Sequence, residues 1–149
     1  MHLQKGSPAP ELSAKNQNGV EVSLSHYIGR KVVLYFYPKD NTPTCTAEAC
    51  NLRDNYQALL AQGYVVLGIS ADKQKTHQNF IKKYDLPFDL LTDTDNEIAK
   101  AFGVWGEKQL YGRKYMGVFR TTFIIDSNGI IEEIIEKVES KNHAQQILK

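Results

Sequence analysis

Two cysteines, Cys45 and Cys50, are the residues of this 149-residue chain whose type and spacing could do redox or nucleophilic chemistry. Thr42 and Pro43 precede Cys45, and they suit the N-cap and the first turn of a helix. In that first turn the free N–H groups and the positive end of the helix dipole favour a thiolate, the reactive form of cysteine, over a thiol. A cysteine can also be a small buried hydrophobic residue, so the position alone leaves both interpretations open.

The spacing of the two cysteines restricts how they can pair. Five residues along a helix give about 7.5 Å of rise and roughly 8–9 Å between the Cα atoms, whereas a disulfide needs less than about 7 Å. Cys45 and Cys50 therefore either never pair or pair only after the first turns of the helix unwind. By itself, Cys50 would be interpreted as a packed thiol on the inner face of the helix.

The elements that must position Cys45 are a strand, a turn and the helix itself. The apolar run from Val32 to Tyr37 is β-branched and aromatic, which predicts a central strand. Pro38 ends the strand because proline cannot donate to the ladder, and residues 39–41 have turn chemistry. The helix that follows is predicted to run to about Ala61 and to end at Gly63.

These residues resemble a known family. Pro38, Thr42 and Cys45 form the pattern Pro-x-x-x-Thr-x-x-Cys, and the run from Thr42 to Asp54 reads TPTCTAEACNLRD. In both features the chain resembles the peroxiredoxins, and specifically the bacterioferritin-comigratory or PrxQ-type subfamily with an atypical two-cysteine mechanism. The resemblance extends over nearly the whole chain, from Gly6 to Ala144.

The resemblance implies a thiol-dependent peroxidase that serves antioxidant defence. The Cys45 thiolate would attack the O–O bond of hydrogen peroxide or an organic hydroperoxide and become a sulfenic acid. Cys50 would resolve it as an intramolecular disulfide once the helix unwinds, and thioredoxin or a similar dithiol protein would reduce that disulfide. The resemblance implies no flavin, haem or metal cofactor.

The attack needs hydrogen-bond donors aimed at the peroxide oxygens as charge develops on them. The candidates are the Thr42 hydroxyl, the backbone N–H groups near Thr44 and Cys45, and one arginine. The resemblance implies that this arginine is Arg120, which would hold the thiolate and contact the peroxide. Pro38 would shield the thiolate and shape the turn.

The charged residues around this motif have a second interpretation. Without the resemblance, Arg120 would be a solvated arginine at the start of a strand. Glu48, one turn after Cys45, could orient Arg120 by a charge-assisted pair or could be an exposed helix glutamate. Arg53, next to Asp54, fits a structural role better than a catalytic one.

The rest of the chain predicts an α/β fold. Apolar periodicity and turn residues predict strands at about 12–15, 20–24, 64–70, 88–91, 118–125 and 130–136, and helices over 73–84 and 95–102 and after Ser140. Thr94 or Asp95 is the predicted cap of the second of these helices, and Ser140 the cap of the last. Residues 103–117 are expected to be a loop with at most one short strand.

This order gives a parallel β-α-β half followed by an antiparallel hairpin and a closing helix. It matches the thioredoxin layout that the resemblance implies, with a central mixed sheet flanked by helices and with extra strands at the N-terminus. We expect residues 1–149 to form a single peroxiredoxin domain.

Composition excludes several other classes of protein. The net charge of +1 does not favour nucleic acid or a membrane surface as a partner, and no apolar run approaches the length of a membrane span, about 18 residues. The beginning of the chain lacks a signal core, so a cytoplasmic location is predicted. The histidines (His2, His26, His77 and His143) are too scattered for a zinc site. Near-neutral charge, with no evident exposed apolar stripe, favours a monomer.

Two other functions remain open. A peroxide-sensing redox relay would use the same sulfenic acid and disulfide, with partner binding as its output. A thiol-inert binding protein on a thioredoxin scaffold would not need the Pro-Thr-Cys motif together with Arg120. A disulfide reductase is disfavoured because the chain has no Cys-x-x-Cys.

Overall fold

A five-stranded mixed β-sheet forms the centre of the computed structural model, which describes residues 2–149. The strands are β1 (Ser13–Lys15), β2 (Glu21–Ser23), β3 (Lys31–Phe36), β4 (Tyr64–Ser70), β5 (Asp89–Thr92), β6 (Trp105–Leu110), β7 (Arg113–Val118), β8 (Thr121–Ile125) and β9 (Ile131–Ile135). The helices are α1 (Pro43–Asp54), α2 (Tyr56–Ala61), α3 (Gln74–Tyr84), α4 (Glu97–Ala101) and α5 (His143–Ile147), with 3₁₀ turns at Leu24–Tyr27 and Ser140–Asn142. The predicted α/β architecture is confirmed.

The sheet order is β5-β4-β3-β8-β9, with β3 in the middle. Strand β3 pairs in parallel with β4 and antiparallel with β8, as expected for a β-α-β unit joined to a hairpin. Its side chains alternate between two buried clusters, with Leu34 and Phe36 on one face and Val33 and Tyr35 on the other. Helices and loops cover both faces of the strand, which explains its uninterrupted apolar sequence.

The sheet is tightly packed where β3 and β4 meet. A Cβ at Gly68 of β4 would lie 2.8 Å from the ring of Tyr35, so only glycine leaves room for that ring. Strands β1 and β2 form the separate N-terminal hairpin that the sequence predicts. None of the helices described between residues 2 and 149 has the length and apolar character needed to cross a membrane.

The helix predicted over 43–61 is interrupted, so this prediction is wrong in one respect. Asn55 leaves the helical conformation, with φ −109° and ψ 13°, and it separates α1 from α2. Its side-chain Nδ2 donates to the carbonyl oxygen of Asn51 at 2.9 Å. Asparagine competes in this way for backbone partners, which explains the break.

The loop predicted at 103–117 is instead a β-hairpin. Strands β6 and β7 pair antiparallel along their whole length and form a sheet of their own. The connecting residues Tyr111 and Gly112 both have positive φ, 51° and 77°, as a two-residue hairpin turn requires. Because most of the strand residues are exposed, with polar and apolar side chains mixed among them, the apolar periodicity that marks a strand is absent. Phe119 and Arg120 then separate β7 from β8, where one strand was predicted.

Two helix caps also differ from prediction. Helix α4 begins after Asn96 rather than after Thr94 or Asp95, and the carboxylate of Asp93 accepts from the N–H of Ile98 (3.1 Å) and of Ala99 (3.0 Å).

Ser140 starts a 3₁₀ turn instead of capping α5. The free N–H of Ala144 in α5 donates to the Asn51 side chain of α1 at 2.7 Å. A neighbouring helix thus supplies the cap, which a local sequence pattern cannot reveal.

Candidate active site

The sulfur of Cys45 lies in the first turn of α1, immediately after β3 and its connecting turn, and Cys45 is only 2% exposed. The first hydrogen bond of the helix runs from the N–H of Thr46 to the carbonyl of Thr42 at 2.8 Å. The N–H groups of Thr44 and Cys45 precede that bond and belong to the unpaired donors of a helix N-terminus. The predicted position of Cys45 at the start of a helix is confirmed.

Arg120 binds the sulfur directly. Its Nη2 donates to Cys45 Sγ at 3.1 Å, and its Nη1 donates to Glu48 Oε1 at 2.6 Å. The register of the sheet explains how residues 75 positions apart meet: Thr121 pairs with Phe36, so Arg120 lies beside the end of β3 from which the Cys45 loop departs. The alternative interpretation, a solvated strand-end arginine, is therefore wrong.

Glu48 is fully buried, and the exposed-glutamate interpretation is also wrong. Burial raises the pKa of Glu48 to about 7, against the opposing effect of the Arg120 charge and hydrogen bond. For Arg120 itself, burial lowers the pKa, but Glu48 and Cys45 outweigh it and raise the pKa above its ordinary value. The guanidinium is therefore a fixed cation held between a carboxyl and a sulfur.

The remaining predicted residues surround Cys45 less closely. Thr42 occupies the N-cap position with extended backbone, but its side chain does not cap the helix, because Oγ1 donates to the carbonyl of Lys39 at 2.9 Å. The lone pairs of that hydroxyl stay available as acceptors. Pro38 and Thr44 are exposed at the surface of the turn and of the first helical turn.

Cys50 lies in the same helix and is half-buried. Both cysteines are free, and α1 is continuous from Pro43 to Asp54. This is the unpaired state that the spacing of five residues predicts for an intact helix. The part that Cys50 plays in a disulfide stays a prediction.

A cavity of about 300 Å³ opens beside Arg120. Its lining includes Val104, Phe119 and Thr121, so an apolar wall adjoins the guanidinium. Lys108 of β6 lies over the Phe119 ring and donates to the carbonyl of Val118. Burial, and then the charge of Arg120, lower the pKa of this lysine.

Sequence reasoning missed a buried polar cluster behind the turn that precedes α1. Asp40 accepts from the hydroxyl of Tyr37 at 2.5 Å, and its other oxygen lies 2.6 Å from Nδ1 of the fully buried His77. His77 Nε2 donates to the carbonyl of Leu91 at 3.0 Å. The turn is thus tied to α3 and β5, and only the fold reveals that His77 and Asp40 meet.

The same cluster contains groups that metals bind. Asp40, Asp72 and His77 bring ligand atoms within 4.8 Å of one another, and His77 is the one histidine among them. Asp72 Oδ2 accepts from the N–H of Asp40 (2.8 Å) and from the hydroxyl of Ser70 (2.6 Å). Because protein donors and acceptors occupy these atoms, the cluster is explained by hydrogen bonding alone.

The second missed residue is His143 at the start of α5. Its ring is fully buried, with Nε2 2.7 Å from Thr122 Oγ1 and 3.6 Å from Glu48 Oε2. Burial lowers the pKa of His143, and the Arg120 charge also acts in that direction. Nothing in the local sequence around a histidine near the end of a chain indicates such a contact.

The comparisons with known proteins agree with this geometry. The model of the AhpC/TSA family matches residues 5–134. The chain belongs to this family. A putative peroxiredoxin Bcp of Coxiella burnetii is 45% identical over 99% of the chain and 98% of the relative, and peroxiredoxin Bcp of Bacillus subtilis is 43% identical over 100% and 95%.

Solved peroxiredoxin structures have the same fold. A cysteine-to-serine mutant of Xylella fastidiosa PrxQ superposes with a TM-score of 0.92 at 31% identity, over 99% of this chain and 94% of that one. The bacterioferritin comigratory protein of Xanthomonas campestris, studied for alkyl peroxide reduction, gives 0.86 at 33% identity, over 91% and 87%. The predicted PrxQ-type resemblance and the thioredoxin fold are confirmed. As a peroxiredoxin, the protein is a thiol peroxidase, and its family implies a peroxide substrate and a thioredoxin-like reductant.

Proposed function

We propose that the protein reduces hydrogen peroxide and organic hydroperoxides with Cys45 as the nucleophile. The thiolate sulfur bonds to one peroxide oxygen as the O–O bond breaks, and the sulfur loses two electrons to the peroxide. One proton is consumed, so the products are the Cys45 sulfenic acid and water or an alcohol. The single observation that carries the assignment is the 3.1 Å contact between Arg120 Nη2 and the buried sulfur of Cys45.

The surrounding groups have two roles: they stabilise the thiolate, and they bind and orient the peroxide. Arg120 stabilises the thiolate and the charge that develops on the oxygens, because its fork has donors beyond the one on Cys45. The N–H groups of Thr44 and Cys45 add donors from the helix N-terminus. Thr42 Oγ1, which donates to the Lys39 carbonyl and so is not the donor that the sequence predicts, accepts a hydrogen bond from the peroxide O–H and orients the attack. Pro38 shapes the turn, and Glu48 fixes Arg120.

The resolving step requires α1 to open. Cys50 attacks the sulfenic sulfur after the first turns unwind, water leaves, and a disulfide joins the two cysteines. A thioredoxin-like dithiol protein then reduces the disulfide. The support is that both cysteines lie on one continuous helix whose geometry keeps them apart.

Stopped-flow mixing of the reduced protein with hydrogen peroxide, followed by mass spectrometry, tests the proposal. We expect rapid peroxide loss and a mass decrease of about two hydrogens mapped to a Cys45–Cys50 bridge. Cys45→Ser should abolish peroxide loss, whereas Cys50→Ser should keep the first oxidation and stop reductant-dependent turnover. Reaction at ordinary thiol rates would contradict the assignment. Fast oxidation without turnover by any dithiol reductant would instead favour the redox relay.

We further propose that residues 1–149 act as one domain, as a cytoplasmic monomer that binds neither nucleic acid nor membranes. The shared central sheet, with a core cluster on each face, and the net charge of +1 support this. Exposed apolar side chains are nevertheless concentrated on the β6–β7 hairpin and the residue that follows it, at Leu110, Tyr111, Tyr115, Met116 and Phe119. Sedimentation of the reduced protein over a range of concentrations tests the monomer.

A further inference from the structure

The second oxygen of Glu48 is the unexplained atom of the site. Oε1 accepts from Arg120, but Oε2 is buried and has no hydrogen-bond partner among the groups of residues 2–149. A buried acceptor without a donor costs free energy and requires a physical reason. Oε2 faces the imidazole of His143, with 3.6 Å between it and Nε2, which is within ion-pair range but long for a hydrogen bond.

The other side of the imidazole settles which nitrogen carries a proton. Gln146 Oε1 accepts from the N–H of Glu139 at 3.0 Å, and Gln146 Nε2 donates to the carbonyl of Lys137 at 3.0 Å, so the orientation of the amide is fixed. His143 Nδ1 lies 2.7 Å from that same Oε1 and must therefore donate to it. In a neutral ring Nε2 is consequently an acceptor.

Two acceptors then face each other whenever Glu48 is ionised and His143 is neutral. The Thr122 hydroxyl, 2.7 Å from Nε2, donates its one hydrogen bond to the ring and none to Oε2. One additional proton on Oε2 removes the repulsion between these two acceptors. It also balances the charge, because the Cys45 thiolate and Arg120 cancel and an unprotonated Glu48 would leave a net negative charge in a buried site.

We propose that His143 is a positioning residue of the peroxidase reaction, which shares one proton with Glu48 and so fixes the carboxyl that directs Arg120 onto the Cys45 sulfur. The proposal rests on the role of Cys45 proposed above. It goes beyond the Glu48–Arg120 pair because it makes the C-terminal helix α5 part of the support for the site. Burial raises the pKa of Glu48 and lowers that of His143, which favours placing the shared proton on the carboxyl.

The other ionisable groups around the pair come from three elements. Cys45 lies on α1 with Glu48, Arg120 precedes β8, and Tyr35 of β3 is affected by the charge of Glu48 without making a hydrogen bond to it among the described residues. Burial, and then the charges of Glu48, Asp40 and Cys45, raise the pKa of Tyr35 well above its ordinary value, so this tyrosine stays neutral. Tyr35 therefore does not contribute to an ionisation of the Glu48–His143 pair near neutral pH.

Three variants test the proposal through the second-order rate constant for Cys45 oxidation by hydrogen peroxide, measured as a function of pH. His143→Phe keeps the ring volume and removes both nitrogens, and we expect a loss of roughly tenfold through misplacement of Arg120. His143→Gln can offer an amide to Oε2 and should recover most of the rate. Ile147→Ala is the matched control, because Ile147 is buried on the same helix and its side chain has no group that could exchange a proton with Glu48.

The pH profiles of these variants distinguish a positioning role of His143 from a purely structural one. We expect the pH profile to move in His143→Phe and to stay unchanged in Ile147→Ala at a comparable loss of thermal stability. A wild-type rate and profile in His143→Phe, or an equal loss in Ile147→Ala, would overturn the proposal.

If His143→Phe does not fold, nitrogen-15 NMR of the wild-type imidazole decides the matter. We expect Nδ1 to be protonated and the Nε2 shift to change on Glu48→Gln, and no change would overturn the proposal. A slow reaction of the wild-type protein itself would instead contradict the proposed function.

Discussion

The two ends of helix α1 are held in different ways. Around Cys45, the contacts are buried and involve charged groups. Arg120 donates to the Cys45 sulfur and to Glu48, and the Asp40–His77 pair holds the preceding turn. Around Cys50, the side chains that hold the helix to the C-terminal residues are neutral and partly exposed, and the nearest charged group, Arg53, pairs with Asp54 and donates to the carbonyl of Tyr84. The side chain of Asn51 donates to the carbonyl of Lys141 at 3.0 Å and accepts from Ala144, and Asn55 accepts from Gln145.

This difference explains how one helix can take part both in the attack of Cys45 on the peroxide and in disulfide formation with Cys50. Buried charged contacts are costly to break individually, so the Cys45 end keeps its geometry for attack on the peroxide. Exposed hydrogen bonds contribute little net stability, so the segment that carries Cys50 can separate from the C-terminal residues when the helix opens. Four measurements test whether the two ends of α1 differ in this way.

The largest effect should follow from changing the cation at Cys45. Arg120→Lys keeps the charge but cannot donate to Cys45 and Glu48 through two arms of one rigid fork. We expect the rate constant for peroxide to fall about 10²- to 10³-fold, as on removal of a donor from an oxyanion site. Stopped-flow kinetics measure this, with the exposed Arg113→Lys as control. A loss below about fivefold would show that a point charge is enough.

The anchor behind the turn should matter mainly for stability. Asp40→Ala leaves His77 buried without its carboxylate partner, so we expect the free energy of unfolding to fall by about 3 kcal/mol. Denaturant unfolding measures this loss. The exposed Asp95→Ala should have no such effect. An unchanged unfolding midpoint in Asp40→Ala would mean that the pair does not hold the turn.

Glu48 should make stability depend on pH. Its pKa is raised from 4.5 to about 7, so the folded state retains a proton that the unfolded state has lost between those values. Stability therefore falls as pH rises through this window, by up to about 3 kcal/mol, and levels off above it.

Replacement by glutamine should remove this slope. Melting temperatures between pH 4.5 and 7.5 should show a smaller decline in Glu48→Gln than in the wild type, whereas the exposed Glu11→Gln should retain the decline. Parallel curves for Glu48→Gln and the wild type would show that another group titrates.

The smallest effect on stability is expected from a substitution at the Cys50 end of α1, but this substitution should change the rate of disulfide formation. Asn51→Ala removes the side chain that ties α1 to the C-terminal residues, at a cost of about 1 kcal/mol. Opening should become easier, so disulfide formation after the first oxidation should accelerate by roughly fivefold while the peroxide step stays the same.

A matched control exists on the neighbouring helix. The side chain of Gln62, just after α2, also binds Lys149, and among the described residues it makes no side-chain hydrogen bond to α1. Gln62→Ala should therefore leave disulfide formation unchanged. If both variants accelerate it equally, release of the C-terminal residues rather than of α1 is the cause.

Much of the fold was predictable because local rules apply to it. The uniform apolar run of β3 requires a strand buried on both faces, and proline together with polar residues requires a turn before α1. The β6–β7 hairpin was not predictable from periodicity, since exposure on both faces removes the alternation. The cap of α5 was not either, because its acceptor belongs to α1.

Residue types and spacing along one element were enough to predict that Cys45 lies at the start of a helix. The same spacing predicts that Cys50 cannot form a disulfide with Cys45 while the helix is intact. Only the tertiary structure decided which side chains surround the sulfur. Arg120 and His143 lie far along the chain, and their contacts with Cys45 and Glu48 exist because β3 pairs with β8 and α5 packs on α1. Burial then raises the pKa of Glu48 and lowers that of His143, and burial is a property of the assembled fold.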